Sequence, residues 1–300
     1  MKILILLSSC NGARFLPEQL DSLLAQRARG VEILDRDDGS TDESRAILER
    51  YRRDGKLRWY GGENLGPARS FWQLLHDSGD ADYYAFCDQD DVWDADKLEI
   101  AVSALSGIDP ELPALYCGDV RVTDAALRPV SDHMLRDMPT DYSHALVKNI
   151  APGCTFVFNR AAKKLLCRYD AEKLGIELHD WLAFQIISCF GKVVFDPQPH
   201  MSYRQHGDNV IGAAASGLQG RLRKLNAFWS GDKRGSRARN AVRLEQAYGD
   251  AMAPDARMLT ADFAHYREEP RRKRRMLRLK LRLPRADRAA FHFLVRFNRL

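Results

Sequence analysis

Apolar residues follow two rhythms over the first 110 positions. Short continuous runs such as ILILL at 3–7, VEIL at 31–34 and YYAF at 83–86 alternate with stretches in which apolar residues recur every three or four positions. That alternation predicts buried parallel strands joined by crossover helices, an α/β fold. KILILLS reads as the first strand, and the following helix carries Leu16, Leu20, Leu23 and Leu24 on one face. After VEIL, Gly39 turns the chain, and Ser40 with Glu43 has capping-box spacing for a helix ending near Tyr51. LRWYGG is a third strand, and Pro67 suits the first turn of a helix carrying Phe71, Leu74 and Leu75. DYYAFC is a fourth strand, followed by a helix with Leu98, Val102 and Leu105.

Beyond residue 110 the texture is mixed. Strands are expected at LYCGDVRV, CTFVFN and KVVF, with helices near 143–149, 160–168 and 180–190. These should complete the sheet and enclose a second substrate pocket. After Gly212 the chain turns to AAASG and then to arginine-rich, helix-like segments. The expected organisation is a domain over 1–212, with halves 1–110 and 111–212, and a basic, mainly helical region over 213–300.

Two acid-rich stretches, RDDGSTD at 36–42 and CDQDDVW at 87–93, fall where strands should end. Ligands of open parallel sheets bind at the carboxyl ends of the strands, so both loops are expected to share one ligand. Asp88, Asp90 and Asp91 crowd three carboxylates into four positions, an arrangement that calls for a counter-charge. Hard oxygen donors suit magnesium or manganese rather than zinc. The same acids also suit a solvated loop leading into a helix, with Asp94 and Asp96 in its first turn. In RDDGSTD, Asp37 or Asp38 can accept from a base N–H or a sugar hydroxyl, although these residue types also make an ordinary turn.

Charge divides the chain further: residues 1–210 hold 24 Lys and Arg against 33 Asp and Glu, and residues 211–300 hold 22 against 8. An acidic body expects a metal, and a basic tail expects phosphates or an anionic membrane. Ser8, Ser9 and Asn11 interrupt the opening apolar run, and no stretch reaches the roughly 18 to 20 apolar residues of a membrane span, so a cytoplasmic chain is expected. The six cysteines form no CxxC pair and read as small core residues of a reduced protein.

Seven segments in order, LSSCNGARFLPEQLDSLL, RDDGSTDES, ENLGPARSFW, CDQDDVW, NIAPGCTFVFNR, HDWLAF and YRQHGDNVIGA, closely resemble the family-2 glycosyltransferases of the GT-A fold, particularly the bacterial rhamnosyltransferase-like branch. The resemblance covers about residues 3 to 213. It implies a nucleotide-sugar site on the first half and an acceptor site on the second. By this likeness Asp37 contacts the pyrimidine base, with Asp38 beside it, and the loop from Asn64 to Arg69 closes over the nucleoside or donor sugar. Asp88 faces ribose and metal, Asp90 is the direct metal ligand, Asp91 assists, Arg204 binds substrate, and His206 is a further metal ligand or a contact to the diphosphate. Asp180 of HDW stands where these inverting enzymes hold a catalytic base, and Trp181 stands to wall the sugar pocket. Asp180 also reads as a helix N-cap, Trp181 as core and His206 as a loop histidine. The cofactor implied is Mn2+ or Mg2+. The donor implied is dTDP-rhamnose, with another UDP- or dTDP-sugar as the alternative, and the acceptor is a hydroxyl of a cell-surface polysaccharide or lipid-linked glycan.

Two positions depart from that pattern: Ser9-Cys10, where relatives often have threonine-tyrosine, and Asp35, where an apolar strand residue is usual. Phe15 is the candidate replacement for a base-stacking contact, and a buried Asp35 needs a partner that Arg36, pointing to the other strand face, does not offer. Residues 267–300 mix arginines with Met276, Leu277, Leu279, Leu281, Leu283, Phe291, Phe293, Leu294, Val295 and Phe297, which suits an anionic membrane surface or a helix packed on the body. A phosphohydrolase and a nucleic-acid-binding protein are the readings from other classes. The acidic body and the lack of any recognised nucleic-acid motif speak against the second, so no nucleic-acid partner is expected.

Overall fold

The computed structural model describes residues 1–135, 138–206, 235–283 and 285–300. It resolves into two compact units, one of residues 1–140 and 149–204, the other of residues 141–148 and 205–300. The boundary expected at 212 falls outside the described residues.

In the first unit, strand β1 (Ile3–Ser9) lies inside a seven-stranded sheet. Beside it run β2 (Val31–Asp37), β3 (Arg58–Gly61) and β4 (Tyr83–Asp88), all parallel. Then come β6 (Ala114–Gly118), β9 (Val157–Asn159) and β10 (Lys192–Asp196), giving the order β10-β6-β9-β4-β1-β2-β3. Only β9 runs against its neighbours. A mostly parallel α/β sheet is therefore present, as the alternating apolar rhythm predicts.

Every residue of Ile3–Leu7 is buried, because helices cover both faces of the sheet. Ile3, Ile5 and Leu7 pack with Leu16, Leu20 and Leu23 of α1 (Leu16–Leu24) and Leu48 of α2 (Ser44–Arg53). Leu24 is 41% exposed and leaves the predicted face. The other side carries α3 (Pro67–Asp77), opened by Pro67 as expected, and α8 (His179–Phe190). The remaining helices of this unit are α4 (Lys97–Ser106), α6 (Arg160–Leu166) and α7 (Ala171–Leu174), and α5 (Tyr142–Ala145) belongs to the second unit.

Three local expectations are corrected. Helix α2 begins at Ser44 rather than after Ser40: Ser40 Oγ instead accepts from Asn11 N at 2.9 Å, and Asp42 caps by accepting from Ser44 N at 3.0 Å. LYCGDVRV is two strands, β6 and β7 (Arg121–Thr123), because the chain breaks at Asp119. β7 enters a smaller sheet, ordered β5-β11-β7-β8, with β5 (Val92–Trp93), β11 (Met201–Arg204) and β8 (Pro129–Ser131), which periodicity did not foretell.

The second unit contains α5, α9 (Ser236–Tyr248), α10 (Pro254–His265), α11 (Pro270–Arg278) and α12 (Arg285–Arg296). Buried Asp262 pairs with Arg275 (Nε–Oδ2 2.6 Å) and with Arg272 at 3.6 Å, so part of the basic run is used inside this unit. Met276, Leu281, Leu283, Phe291, Leu294 and Val295 are buried, whereas Phe293 and Phe297 stay exposed. Helix α11 ends at Arg278, within the stretch of alternating leucines and cations. No helix among the described residues is long and apolar enough to cross a membrane.

Candidate active site

The carboxyl ends of β1, β2 and β4 place the two acid-rich loops on one rim, and a glutamine between the acids of the β4 loop ties that loop to the one after β1. Gln89 Oε1 accepts from Cys10 N at 2.8 Å while its Nε2 donates to Cys10 O at 2.9 Å. The β1 and β4 loops are thus cross-linked like neighbouring strands. Gly12 permits this, since a Cβ there would lie 2.1 Å from Gln89 Oε1.

On the β2 side, Asp37 is fully buried. Its Oδ2 accepts from Arg45 Nε at 2.6 Å and Ser40 N at 3.2 Å, and its Oδ1 is buried without a partner. That orphaned acceptor suits a ligand N–H. Asp38 is occupied internally: it pairs with Arg36 at 2.5 Å and accepts from Leu65 N at 2.8 Å and Gly66 N at 2.9 Å. It pins the 64–66 loop instead of offering open oxygens. Gly39, at φ +82°, brings the turn against the Asn64 backbone, where a Cβ would meet the amide nitrogen at 3.1 Å. Asn64 is exposed and donates to Cys10 Sγ at 3.4 Å; Arg69 is exposed on α3.

Arg36 does point away from Asp35, as strand parity requires. It bonds Ser70 Oγ at 2.9 Å and Glu63 O at 3.0 Å as well as Asp38. Asp35 is completely buried; Ser9 Oγ donates to its Oδ1 at 3.0 Å, and Oδ2 has no partner. Burial raises its carboxyl well above the usual range, and the charge of Asp37 adds to this.

At the end of β4, ligand atoms of Asp88, Asp91 and Cys154 lie within 4.8 Å of one another. Burial, then the charges of Asp90 and Asp180, push Asp88 up to about 7, and burial with Asp90 and Asp88 raises Asp91 well above its ordinary value. Buried carboxyls raised by burial and by the charge of Asp90 are a donor set a divalent ion would relieve, and the buried, unpartnered Oδ2 of Asp91 gives it a further oxygen. The residues therefore fit magnesium or manganese. Asp90 acts on both through its charge but stands outside the 4.8 Å trio.

Cys154, read from sequence only as core, lies beside both carboxyls, and burial with the two acids keeps its thiol far above the usual range. Beneath lies Lys97, 2% exposed, its Nζ without a hydrogen bond and 3.4 Å from the centre of the Trp93 ring. Burial lowers it to about 8, against the attraction of neighbours that include Asp91. No periodicity argument marks this lysine, because it sits at the first position of an amphipathic helix.

Asp180 lies in the first turn of α8, 6% exposed, with Oδ1 accepting from Trp181 N at 2.7 Å. The helix starts at His179, so Asp180 is not its N-cap. His179 stacks on Phe71 with ring centres 4.1 Å apart and meets Phe86 edge-on at 5.1 Å. Phe86 lies two residues before Asp88 on β4, so this aromatic contact sets the helix end against the acid cluster. Trp181 is 8% exposed and belongs chiefly to the core.

Arg204, 2% exposed, donates to Asp90 O at 2.7 Å, Ala125 O at 2.7 Å and Glu18 Oε2 at 2.5 Å, while its own N–H reaches Asp91 Oδ1 at 3.1 Å. Its guanidinium lies 4.6 Å from the Phe15 ring, so Phe15 is engaged with Arg204. Arg204 thus braces the acidic loop. His206 belongs to the second unit, at the edge of the described residues. A second acid group, Asp94, Asp96 and His200, contains its own cation, Arg121, 2.8 Å from Asp94 Oδ2.

A mostly parallel sheet with paired acidic loops on one rim and a single carboxylate at a facing helix start defines a GT-A glycosyltransferase. The comparisons carry this to a family: the model described as glycosyl transferase family 2 matches residues 4–165, and the chain belongs to that family. It is 26% identical over 225 residues to the dTDP-rhamnosyl transferase RfbG of Shigella flexneri, covering 70% of this chain and 75% of that protein. It is 33% identical over 227 residues to an uncharacterised glycosyltransferase of Nostoc sp., covering 72% and 68%. Among solved structures, S. aureus TarS residues 1–349 in complex with UDP matches with TM-score 0.59 at 17% identity, covering 94% of this chain and 76% of that one. The mannosyltransferase PcManGT of Pyrobaculum calidifontis, in complex with GDP-Man and Mn2+, matches with TM-score 0.51 at 16% identity, covering 99% and 87%. These structural likenesses establish the fold.

Proposed function

We propose that this chain is a metal-dependent, inverting transferase that moves a sugar, L-rhamnose from dTDP-rhamnose, to a hydroxyl of a growing cell-surface polysaccharide or lipid-linked glycan such as O-antigen. The observation that supports the reading is the cluster at the end of β4, where ligand atoms of Asp88, Asp91 and Cys154 lie within 4.8 Å of one another and the charges of Asp90 and Asp180 act on Asp88. Asp88, Asp91 and the nearby Asp90 would hold Mn2+ or Mg2+. Such an ion neutralises charge on a departing diphosphate. The orphaned Oδ1 of Asp37 would accept the N3–H of a pyrimidine base, and Asn64 and Arg69, both exposed beside that loop, would contact the nucleoside or donor sugar.

Asp180 would take the proton from the acceptor hydroxyl as its oxygen attacks the anomeric carbon, giving inversion. The name of the Shigella flexneri relative favours rhamnose and dTDP as donor. Residues 267–300, with exposed Phe293 and Phe297 rings 4.5 Å apart among arginines, would hold the protein on the inner face of the cytoplasmic membrane.

Product analysis tests the reading. Purified protein with Mn2+ and a panel of dTDP- and UDP-sugars is expected to release dTDP from dTDP-rhamnose faster when a glycan extract is added. Release of free sugar at the same rate with and without acceptor would make it a hydrolase.

A further inference from the structure

The carboxyl rim of the large sheet carries a second anchored side chain on the far side of β4 from the nucleotide loops. Asp119 follows β6, its side chain fully buried. Oδ1 accepts from Val120 N at 2.7 Å, Met134 N at 3.0 Å and Leu135 N at 2.7 Å, and Oδ2 lies 2.9 Å from Nδ1 of His133. An acceptor-only carboxylate fixes the ring: Nδ1 carries a proton toward Asp119, leaving Nε2 for a ligand. The His133 side chain is 40% exposed, between Val130 at 65% and Met134 at 40%. A buried carboxylate thus holds in place a partly exposed imidazole in a stretch that also exposes two apolar side chains.

Sheet order tells which substrate this patch faces. Loops after β1, β2 and β3 lie on one side of β4, and β6 lies on the other. The 3-10 turn Gly153–Thr155 leads into β9, between β4 and β6, and a Cβ on its Gly153 would lie 3.0 Å from Asp180 Cβ. The patch is therefore on the Asp180 side of the acid cluster, opposite the donor.

We propose that His133, held by Asp119 in a stretch that also exposes Val130 and Met134, is a recognition residue for the acceptor sugar. Its Nε2 accepts a hydrogen bond from a ring hydroxyl while the apolar pair covers the C–H face of the pyranose. It binds and orients, and moves no proton in the reaction. The inference rests on the chain's being a sugar transferase, whichever donor it uses.

Histidine-detected nitrogen NMR of the full chain, with saturating dTDP and Mg2+, tests this by titration with the methyl pyranosides of rhamnose, glucose, galactose, mannose and N-acetylglucosamine. The His133 ring signal is expected to move with at least one pyranoside and to stay in place with dTDP alone. His133→Ala is expected to bind that pyranoside about 3- to 10-fold more weakly, the loss of one neutral hydrogen bond, with dTDP affinity unchanged as the measure of an intact fold. The proposal is overturned if no pyranoside moves the signal, if dTDP alone moves it, or if His133→Ala leaves pyranoside affinity unchanged or weakens dTDP in parallel. Failure of dTDP and UDP to bind wild-type protein at all would instead overturn the donor reading itself.

Discussion

Two buried aspartates of β2, Asp35 and Asp37, have different partners. Asp37 has Arg45 and a backbone N–H, whereas Asp35 has one serine hydroxyl. A carboxyl raised on folding holds its proton where the unfolded chain has lost it, so its stabilisation is present below the unfolded value and is lost as pH rises toward the folded one. Asp35→Asn is therefore expected to raise the melting temperature at pH 8 relative to wild type, and to change it little at pH 4. Equal effects at both pH values would mean that Asp35 is ionised in the folded protein. For Asp180→Asn, turnover is expected to fall by about 10²- to 10⁴-fold, the usual contribution of a general base, with nucleotide affinity retained. Loss of nucleotide binding would move Asp180 from chemistry to structure.

At the scale of elements, the strand-to-helix loops are rigid because their charges are spent on one another. Asp38 gathers Arg36 and two backbone N–H groups, and so fixes the loop after β3 to the loop after β2. Asp38→Ala leaves Arg36 buried without its main counter-charge, which is expected to cost about 3–5 kcal/mol in denaturant unfolding and to speed hydrogen exchange at Leu65 and Gly66. Unchanged exchange there would separate the ion pair from the loop. This arrangement explains what was legible beforehand. Runs such as ILILL and YYAFC reveal strands, and Asp37, Asp88, Asp91 and Asp180 stand out because acids at strand or helix ends are visible in one dimension. Cys154, Lys97 and Gln89 act through neighbours far along the chain, so no local spacing marks them. The start of α2 was misread because Ser40 bonds Asn11, a contact from another loop. The small second sheet was missed because its strands are two to four residues long.

For the whole molecule, charge is partitioned between an acidic sheet unit, where a cation and a nucleotide are expected, and a basic helical unit, where an anionic surface is expected. Because most apolar residues of the basic segment are buried in its own unit, membrane attachment is expected to depend on Phe293 and Phe297 and on lipid charge. In flotation with vesicles containing anionic lipid, Phe293→Ser/Phe297→Ser is expected to reduce the bound fraction, and 0.5 M salt to reduce it further; binding indifferent to both would remove the membrane role. The central claim is that the acids after β4 hold a divalent ion that in turn holds a nucleoside diphosphate. Its most direct test is calorimetric titration of dTDP into wild-type and Asp91→Asn protein, with Mn2+ and with EDTA. Tight binding by wild type only in the presence of Mn2+, weakened at least tenfold in Asp91→Asn, is the predicted result. Equal dTDP affinity with Mn2+ and with EDTA, unaffected by the substitution, would contradict it.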